Sequence, residues 1–563
     1  MPVERGRIPE LPLMPRARSV ARHLHRSYPV GHQQFSRALA GVELELTIST
    51  PDHFSEDVRV NLVTTINADG AYEWLEVPFV RVDESTFACR ITPGRPGLYT
   101  FRAQFSLDGW LTKLRDQVPD AWVLVDPPQI DDMRLYTMLP TVSGTVQDWT
   151  ADLRRIKAMG FNAIHLLPIT SLDESESPYS AHDLFDIDHS YVASDVNRDR
   201  LSQLEEFIEE AKALEMRLCF DLVLNHVGVT SNIARRAPDW IVPDESSPDG
   251  FKRARFWSDK GWQIWEDIVL INYEHPSDKI RAQIWDYMTH YALFWAKYAD
   301  YTHGFVRFDN LHSSDGAYQH SLTQSLRNTY PNLGIIAEYF TDDDTLLNSV
   351  PVWGLNLLLA TPWNHKFVPQ LREYLRYIHR ISEQIRYFMP ITSHDSGSPA
   401  QEFGSIESTV PRYVAAALLG TGATGITQGV EWGDPLKTNF IGRHPKREQP
   451  DEAIFEGFIR TVNQILTDHT TFRRGNNCHF VDNDHHAIIA AFRKDSKTEN
   501  GGYLVICNFD TVCEHLFEAD LEPFLGDMDA VTCRDLLTGE EWSFPSARVR
   551  FVLQPCVAKV LVF

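Results

Sequence analysis

A chain of 563 residues, 43% hydrophobic and 23% charged, has the balance of an ordinary globular protein and is long enough for two or three domains. Its formal charge of −24 argues against nucleic acid or another polyanion as a partner, because such binding needs clustered Lys and Arg; a neutral substrate fits it better. Seven cysteines, odd in number and without CxxC spacing, read as reduced thiols, which excludes a disulfide frame and a zinc site and points to the cytoplasm.

The chain opens with MPVERGRIPELPLMPRARSVARHL, where charges and prolines stand in place of the unbroken apolar stretch of a signal peptide. No run of 18 apolar residues follows, so no membrane anchor is expected. Residues 1–40 read as a lead-in without periodicity. Between 41 and 127 the pattern becomes short alternating stretches, VELELTI, VRVNLVTTI, TFACRIT and LYTFRAQF, separated by turn signals; this predicts a β-sandwich closed by Pro127-Pro128.

From 128 to 470 short apolar strands alternate with helical periods, the mark of a parallel α/β architecture. The candidate strands are MRLYTML, NAIHLLP, RLCFDLV, GFVRFD, LGIIAE, WGLNLLL, FMPITSH and ATGITQ. Eight is the number that closes a (β/α)8 TIM barrel. SQLEEFIEEAKALEM predicts an outer helix capped by Ser202, and Asp342-Asp343-Asp344 predicts a helix N-terminus. The connection after the third strand is long, an inserted subdomain at about 227–280 of the kind that sits over the active face of a barrel. From 471 to 563 the β pattern returns in HAIIAAF, YLVICNF and VAKVLVF, predicting a C-terminal all-β sandwich domain. Asp484-His485-His486 within it lacks metal-ligand spacing and reads as a turn.

Catalytic groups of such a barrel project from the C-terminal strand ends. Here the third strand ends in Asp221 and continues to Asn225-His226, the fourth ends in Arg307-Phe308-Asp309, the fifth in Glu338 and the seventh in His394-Asp395. Four carboxylates with an interleaved Arg and two His converge on one rim. Cleaving a glycosidic bond with retention requires one carboxylate to attack the anomeric carbon and a second, protonated and roughly 5 Å away, to protonate the leaving oxygen. Asp309 and Glu338 on adjacent strands can form that pair. Arg307 points to the same side of its strand as Asp309, and its charge is expected to keep that carboxylate ionised. Asp395 can hold sugar hydroxyls and stabilise an oxocarbenium-like transition state.

At these residues the sequence resembles the α-amylase superfamily, glycoside hydrolase family 13. Its ordered segments are matched by DLVLNH, GFVRFDN, IIAEYF and SHDS. The resemblance implies Asp309 as nucleophile, Glu338 as acid/base and Asp395 as transition-state stabiliser, with Asp221, Asn225, His226, Arg307 and His394 around the first sugar. SPYSAHDLFDID is similar to the segment after the second strand and implies Tyr179 as an aromatic platform. HLLPIT and ITQGVEWGD are similar to the second- and eighth-strand segments, where barrel packing is the expected role.

DNLHSSD after the nucleophile position resembles two branches that transfer sugar chains: the glucanotransferase half of glycogen debranching enzymes and the maltosyltransferase that uses maltose 1-phosphate. His312, with Asn310 nearby, is then implied on the acceptor side. WSDKGWQIWEDI, with Lys260 alone, stands where the second branch has a lysine-rich segment.

The implied function is a retaining enzyme that cleaves α-1,4-glucosidic bonds through a glycosyl-aspartate and passes the glycosyl group to a sugar acceptor. Its partners are an α-glucan or maltooligosaccharide and that acceptor, with no nucleic acid and no membrane. Hydrolysis by the same chemistry, maltosyl transfer from a phosphosugar, and a non-catalytic glucan- or protein-binding role stay open, as does homo-oligomer formation. No cofactor is implied; some family members hold calcium near the inserted subdomain, but no ligand set for it can be traced.

Overall fold

Alternating apolar positions between Leu44 and Asp126 place one face of each strand inward, and two sheets pack through those faces. One sheet runs His25–Arg26, Leu44–Ser49, Thr86–Ile91, Val80–Arg81; the other runs Phe35–Leu39, Ala121–Asp126, Gly97–Ser106, Arg59–Thr64, Leu75–Pro78. Leu46, Ile48 and Phe87 of the first meet Leu62, Phe101 and Val123 of the second in a common core. Phe35–Leu39 falls within the stretch read as lead-in, yet it pairs in parallel with Ala121–Asp126, and Arg37 forks onto Asp126 at 2.9 and 2.6 Å. The partner lies 89 residues away, so nothing local announces this strand.

The computed structural model describes residues 25–26, 35–49, 56, 58–69, 73–106, 114–115, 120–194, 198–258, 261–450, 454–481, 485–494 and 501–563. Lys260, Asp484 and most of the lead-in lie outside the described residues. The chain divides into two compact units, one ending at Pro128 and including Asp343–Gly354, the other made of Gln129–Asp342 and Leu355–Phe563. Helix Asp343–Trp353 of the first unit begins within the predicted acidic run, where carboxylates meet the positive end of the helix dipole.

In the second unit eight parallel strands close a barrel: β1 Arg134–Met138, β2 Ala163–Leu166, β3 Arg217–Leu222, β4 Phe305–Phe308, β5 Gly334–Ala337, β6 Leu357–Leu359, β7 Tyr387–Pro390 and β8 Ala423–Thr427. Each coincides with a candidate strand of the sequence. Closure of β8 on β1 requires a glycine at 425, because an added Cβ would stand 2.1 Å from the Leu135 carbonyl oxygen. Helix α1, Val146–Ala158, starts with a reciprocal Thr145/Asp148 capping box and buries Trp149, Leu153 and Ile156. Helix α2, Arg200–Ala213, is capped by Asp199, whose carboxylate accepts from Ser202 N at 2.9 Å. The expected cap, Ser202, instead donates its hydroxyl to Asp199 at 2.7 Å, since a carboxylate is the better acceptor for an orphan N–H.

The insertion after β3 forms a three-stranded sheet, His226–Gly228, Gly261–Leu270 and Arg253–Ser258, before helix α3, Asp278–Tyr301. After the barrel a six-stranded sheet, with Ile488–Arg493, Tyr503–Asn508 and Ala558–Val562 adjacent to one another, covers a two-stranded sheet through a shared apolar core. Buried Arg493 joins it to the barrel by donating to the Leu418, Gly420 and Arg474 carbonyls at 2.9, 3.0 and 2.6 Å. His485 Nδ1 accepts from Ala487 N and Ile488 N, as expected of a turn. All seven cysteines are free thiols.

Candidate active site

Side chains alternate along a barrel strand, and Leu135, Ala163, Cys219, Phe305, Ile336, Leu357, Phe388 and Ala423 fill the barrel interior as one apolar layer. Two residues further toward the C-terminal rim, the same parity delivers Thr137, His165, Asp221, Arg307 and Glu338, and two more residues along β4 bring Asp309. Register places Asp221 beside Arg307. The site is thus the next layer of the core, with polar groups in place of apolar ones.

Arg307 is its hub. Nη1 donates to both Asp221 oxygens at 2.9 and 2.8 Å and to Asp309 Oδ1 at 3.0 Å, while Nη2 donates to Glu338 Oε2 at 2.6 Å. One planar guanidinium therefore holds three carboxylates in fixed relation. Glu338 Oε2 also accepts from Asn310 N at 3.1 Å. Asn310 reaches this position with φ 46°, a left-handed conformation that Asn tolerates better than most residues.

Tyr179 donates its hydroxyl to Asp221 Oδ2 at 3.0 Å, and that hydroxyl lies 2.7 Å from His394 Nε2. The two rings are parallel within 7°. His394 Nε2 is in turn 3.1 Å from Asp395 Oδ2, whose side chain remains 61% exposed and open to the cleft. His226 lies beneath, with Nε2 3.0 Å from the Tyr179 carbonyl. Asn225 Oδ1, His226 Nδ1 and Asn310 Oδ1 are buried without partners among the described residues. Orphaned polar atoms at one site are unusual in a folded protein and suit a hydroxyl-rich ligand.

Burial raises the Asp309 carboxyl well above its ordinary value; Arg307 opposes this, and Glu338, Asp221 and Asp395 reinforce it. Arg307 thus favours the ionised form, as expected, but acts against burial and three neighbouring carboxylates. One guanidinium serves several carboxylates, so its charge is shared among them. Against the cost of burial, Arg307, His165 and His394 hold Asp221 below the usual range. His394, Arg307 and Lys437 hold the exposed Asp395 carboxyl below the usual range. Burial lowers His226 to about 4, so it is neutral near pH 7.

Asp221, Arg307, Asp309, Glu338, Tyr179, His394 and Asp395 thus form one connected cluster, with Asn225, His226 and Asn310 at its edge. His312 does not join it: the ring is exposed and lies 5.4 Å from Phe340. Two contributors went unrecognised in the sequence. His165, read as barrel packing, places Nε2 3.0 Å from Asp221 Oδ2; its signal was a histidine at an inward parity position within an apolar strand. Lys437 donates to the Asp395 carbonyl at 2.8 Å and lies over Phe440, which has no motif around it. The eighth-strand segment packs as expected, with Gln428 Oε1 accepting from Leu139 N and buried Glu431 accepting from Tyr136. Among the described residues no group of three His, Cys, Asp or Glu side chains could hold a metal ion.

The sequence model of the glycogen debranching enzyme glucanotransferase domain matches residues 128–249. The α-1,4-glucan:maltose-1-phosphate maltosyltransferase of Arcanobacterium haemolyticum is 21% identical over 72% of this chain and 61% of its own length; that of Rhodospirillum rubrum is 24% identical over 40% of this chain and 33% of its own. The chain is thus similar in sequence to enzymes of the α-amylase superfamily, as its motifs imply. It spans a third to three-fifths of the length of these superfamily relatives. A maltogenic α-amylase from Thermotoga neapolitana superposes with a TM-score of 0.63 at 16% identity, covering 77% of this chain and 99% of that one. This likeness bears on the fold alone.

Proposed function

We propose that this protein is a retaining enzyme acting on α-1,4-glucans, which transfers a glycosyl group from donor to sugar acceptor through a covalent glycosyl-Asp309. The observation that carries the reading is the clamp of Asp309, Glu338 and Asp221 on one Arg307 guanidinium. Asp309 attacks the anomeric carbon while Glu338 gives its proton to the departing oxygen, leaving an ester between sugar and Asp309. Glu338, now a carboxylate, takes the proton of an acceptor hydroxyl, which attacks the same carbon and releases Asp309. Two inversions give net retention. Asp395 and His394 receive the sugar hydroxyls, Tyr179 packs on the ring, and Asn225, His226 and Asn310 gain the partners they lack.

Transfer in preference to hydrolysis is supported by the debranching-type family match and by the names of the curated relatives. Those names also favour a second reading, in which the donor is a sugar phosphate. Product sizing after incubation with maltooligosaccharides, with and without inorganic phosphate, separates them. Longer and shorter chains together are expected for transfer; glucose or maltose alone indicates hydrolysis, and a phosphosugar formed only with phosphate indicates the second donor. No described helix is long and apolar enough to cross a membrane.

A further inference from the structure

The connection after β8 is bound to the rim of the site by contacts that the chemistry above does not use. Phe440 turns its ring edge toward His394 at 5.4 Å and Tyr179 at 6.4 Å, and packs with Leu139, Val142 and Leu167. Its carbonyl accepts from Thr141 Oγ1 at 2.8 Å, and Arg447 N donates to the Val142 carbonyl at 2.8 Å, fastening the loop to the connection after β1. Arg443 fastens it to the connection after β2: Nη1 donates to Glu176 at 2.6 Å, and Nη2 and Nε donate to the two oxygens of fully buried Asp188 at 3.0 and 3.2 Å. Gly442 N adds a bond to the Glu176 carbonyl at 3.0 Å. A guanidinium with three charge-assisted bonds, two of them forked on a buried carboxylate, holds a rigid wall.

The position of this wall fixes its consequence. Glu338 meets Nη2 of Arg307, whereas Asp221 and through it Tyr179 meet Nη1. A leaving group protonated by Glu338 departs on the Nη2 side, so the transferred sugar extends past Tyr179 and His394, toward Phe440. We infer that the Phe440–Arg443 segment closes the site behind the transferred sugar, so that the enzyme takes its donor by the non-reducing chain end and transfers a short glycone of one fixed length. This rests on the reading of the site as glucan-acting. In it Phe440 is a specificity-determining residue, and Arg443 is a positioning residue that acts through Phe440.

The test compares maltoheptaose with maltoheptaose blocked at its non-reducing end as a 4,6-acetal. Binding is read by calorimetry in a Glu338→Gln background, and product size is read in the active protein. The free-ended sugar is expected to bind about 100-fold more tightly than the blocked one, because the acetal cannot fit and leaves polar groups of the site unpaired. Products are expected to step by a single increment. Phe440→Ala and Arg443→Ala are expected to reduce the preference about tenfold or more and to yield mixed increments, while Arg443→Lys retains part of it. Equal binding of both sugars by the unsubstituted site, or an unchanged preference in folded Phe440→Ala protein, overturns the inference. Selective binding of the free end without turnover of either sugar upholds the closed end and refutes the proposed function; binding of neither overturns both.

Discussion

Two guanidinium clusters, one around Arg307 and one around Arg155, invite comparison. Arg155 on α1 donates to both oxygens of Asp152 at 2.7 Å and to Glu456 at 2.8 Å, and it approaches Glu431, which also accepts from Tyr136 at 2.6 Å and from Gly429 N at 2.9 Å. None of the buried polar atoms of this cluster lacks a partner among the described residues. Around Arg307 the same types of group leave three neighbouring polar atoms unpaired and expose Asp395. The first cluster is complete and joins α1 to the connection after β8; the second, in the function proposed above, is completed by a ligand. Buried charge alone does not mark a functional site, whereas buried charge with unmet hydrogen-bonding capacity does.

Single substitutions can break this contrast. The largest expected effect is on turnover: Asp309→Ala lowers kcat on maltooligosaccharides by about 10⁴-fold or more, roughly 5 kcal/mol of barrier, while the melting temperature is unchanged or raised because a buried carboxylate is removed. Glu431→Ala is expected to do the opposite. Breaking a buried ion pair costs about 3–5 kcal/mol of stability, read as a fall in denaturant midpoint, with kcat per folded molecule preserved. If Glu431→Ala abolished turnover without destabilising the protein, the two clusters would have to exchange roles.

A smaller effect concerns the wall behind the site. Burial opposes ionisation of Asp188, but Arg443 and the Leu172 and Ser190 groups lower it from the ordinary 3.8 to about 2. A lowered carboxyl contributes stability above its unfolded value and loses it as pH falls through the folded one. Roughly 2 kcal/mol is therefore expected to disappear between about pH 4 and pH 2, and Arg443→Ala flattens that slope in pH-dependent unfolding. The smallest effect is at the rim. His312→Ala is expected to change stability by less than about 0.5 kcal/mol, and a rise in acceptor KM with unchanged donor KM would confirm its place on the acceptor side.

Much of this was legible in the chain. Each barrel strand is a short apolar run between helical periods, and its catalytic candidates stand at the run's C-terminal end, so strand, parity and rim all follow from local pattern. Asp221, Arg307, Asp309, Glu338 and His394-Asp395 could be named for that reason. His312 shares the motif but not the cluster, because a three-residue helical turn, Leu311–Ser313, carries it out to solvent. His165 was hidden because an inward-facing histidine in an apolar strand looks the same in sequence whether it packs or bonds an aspartate.

Periodicity and strand-end chemistry thus determined the eightfold barrel, the β domains before and after it, and the identity of the carboxylates, since these depend on neighbours a few residues apart. The sharing of one guanidinium, the upward shift of Asp309 and the wall behind Tyr179 depend on pairs such as Arg443 and Glu176, separated by 267 residues. Their distance and burial arise only when the loops after β1, β2 and β8 meet, and local pattern carries no record of that meeting.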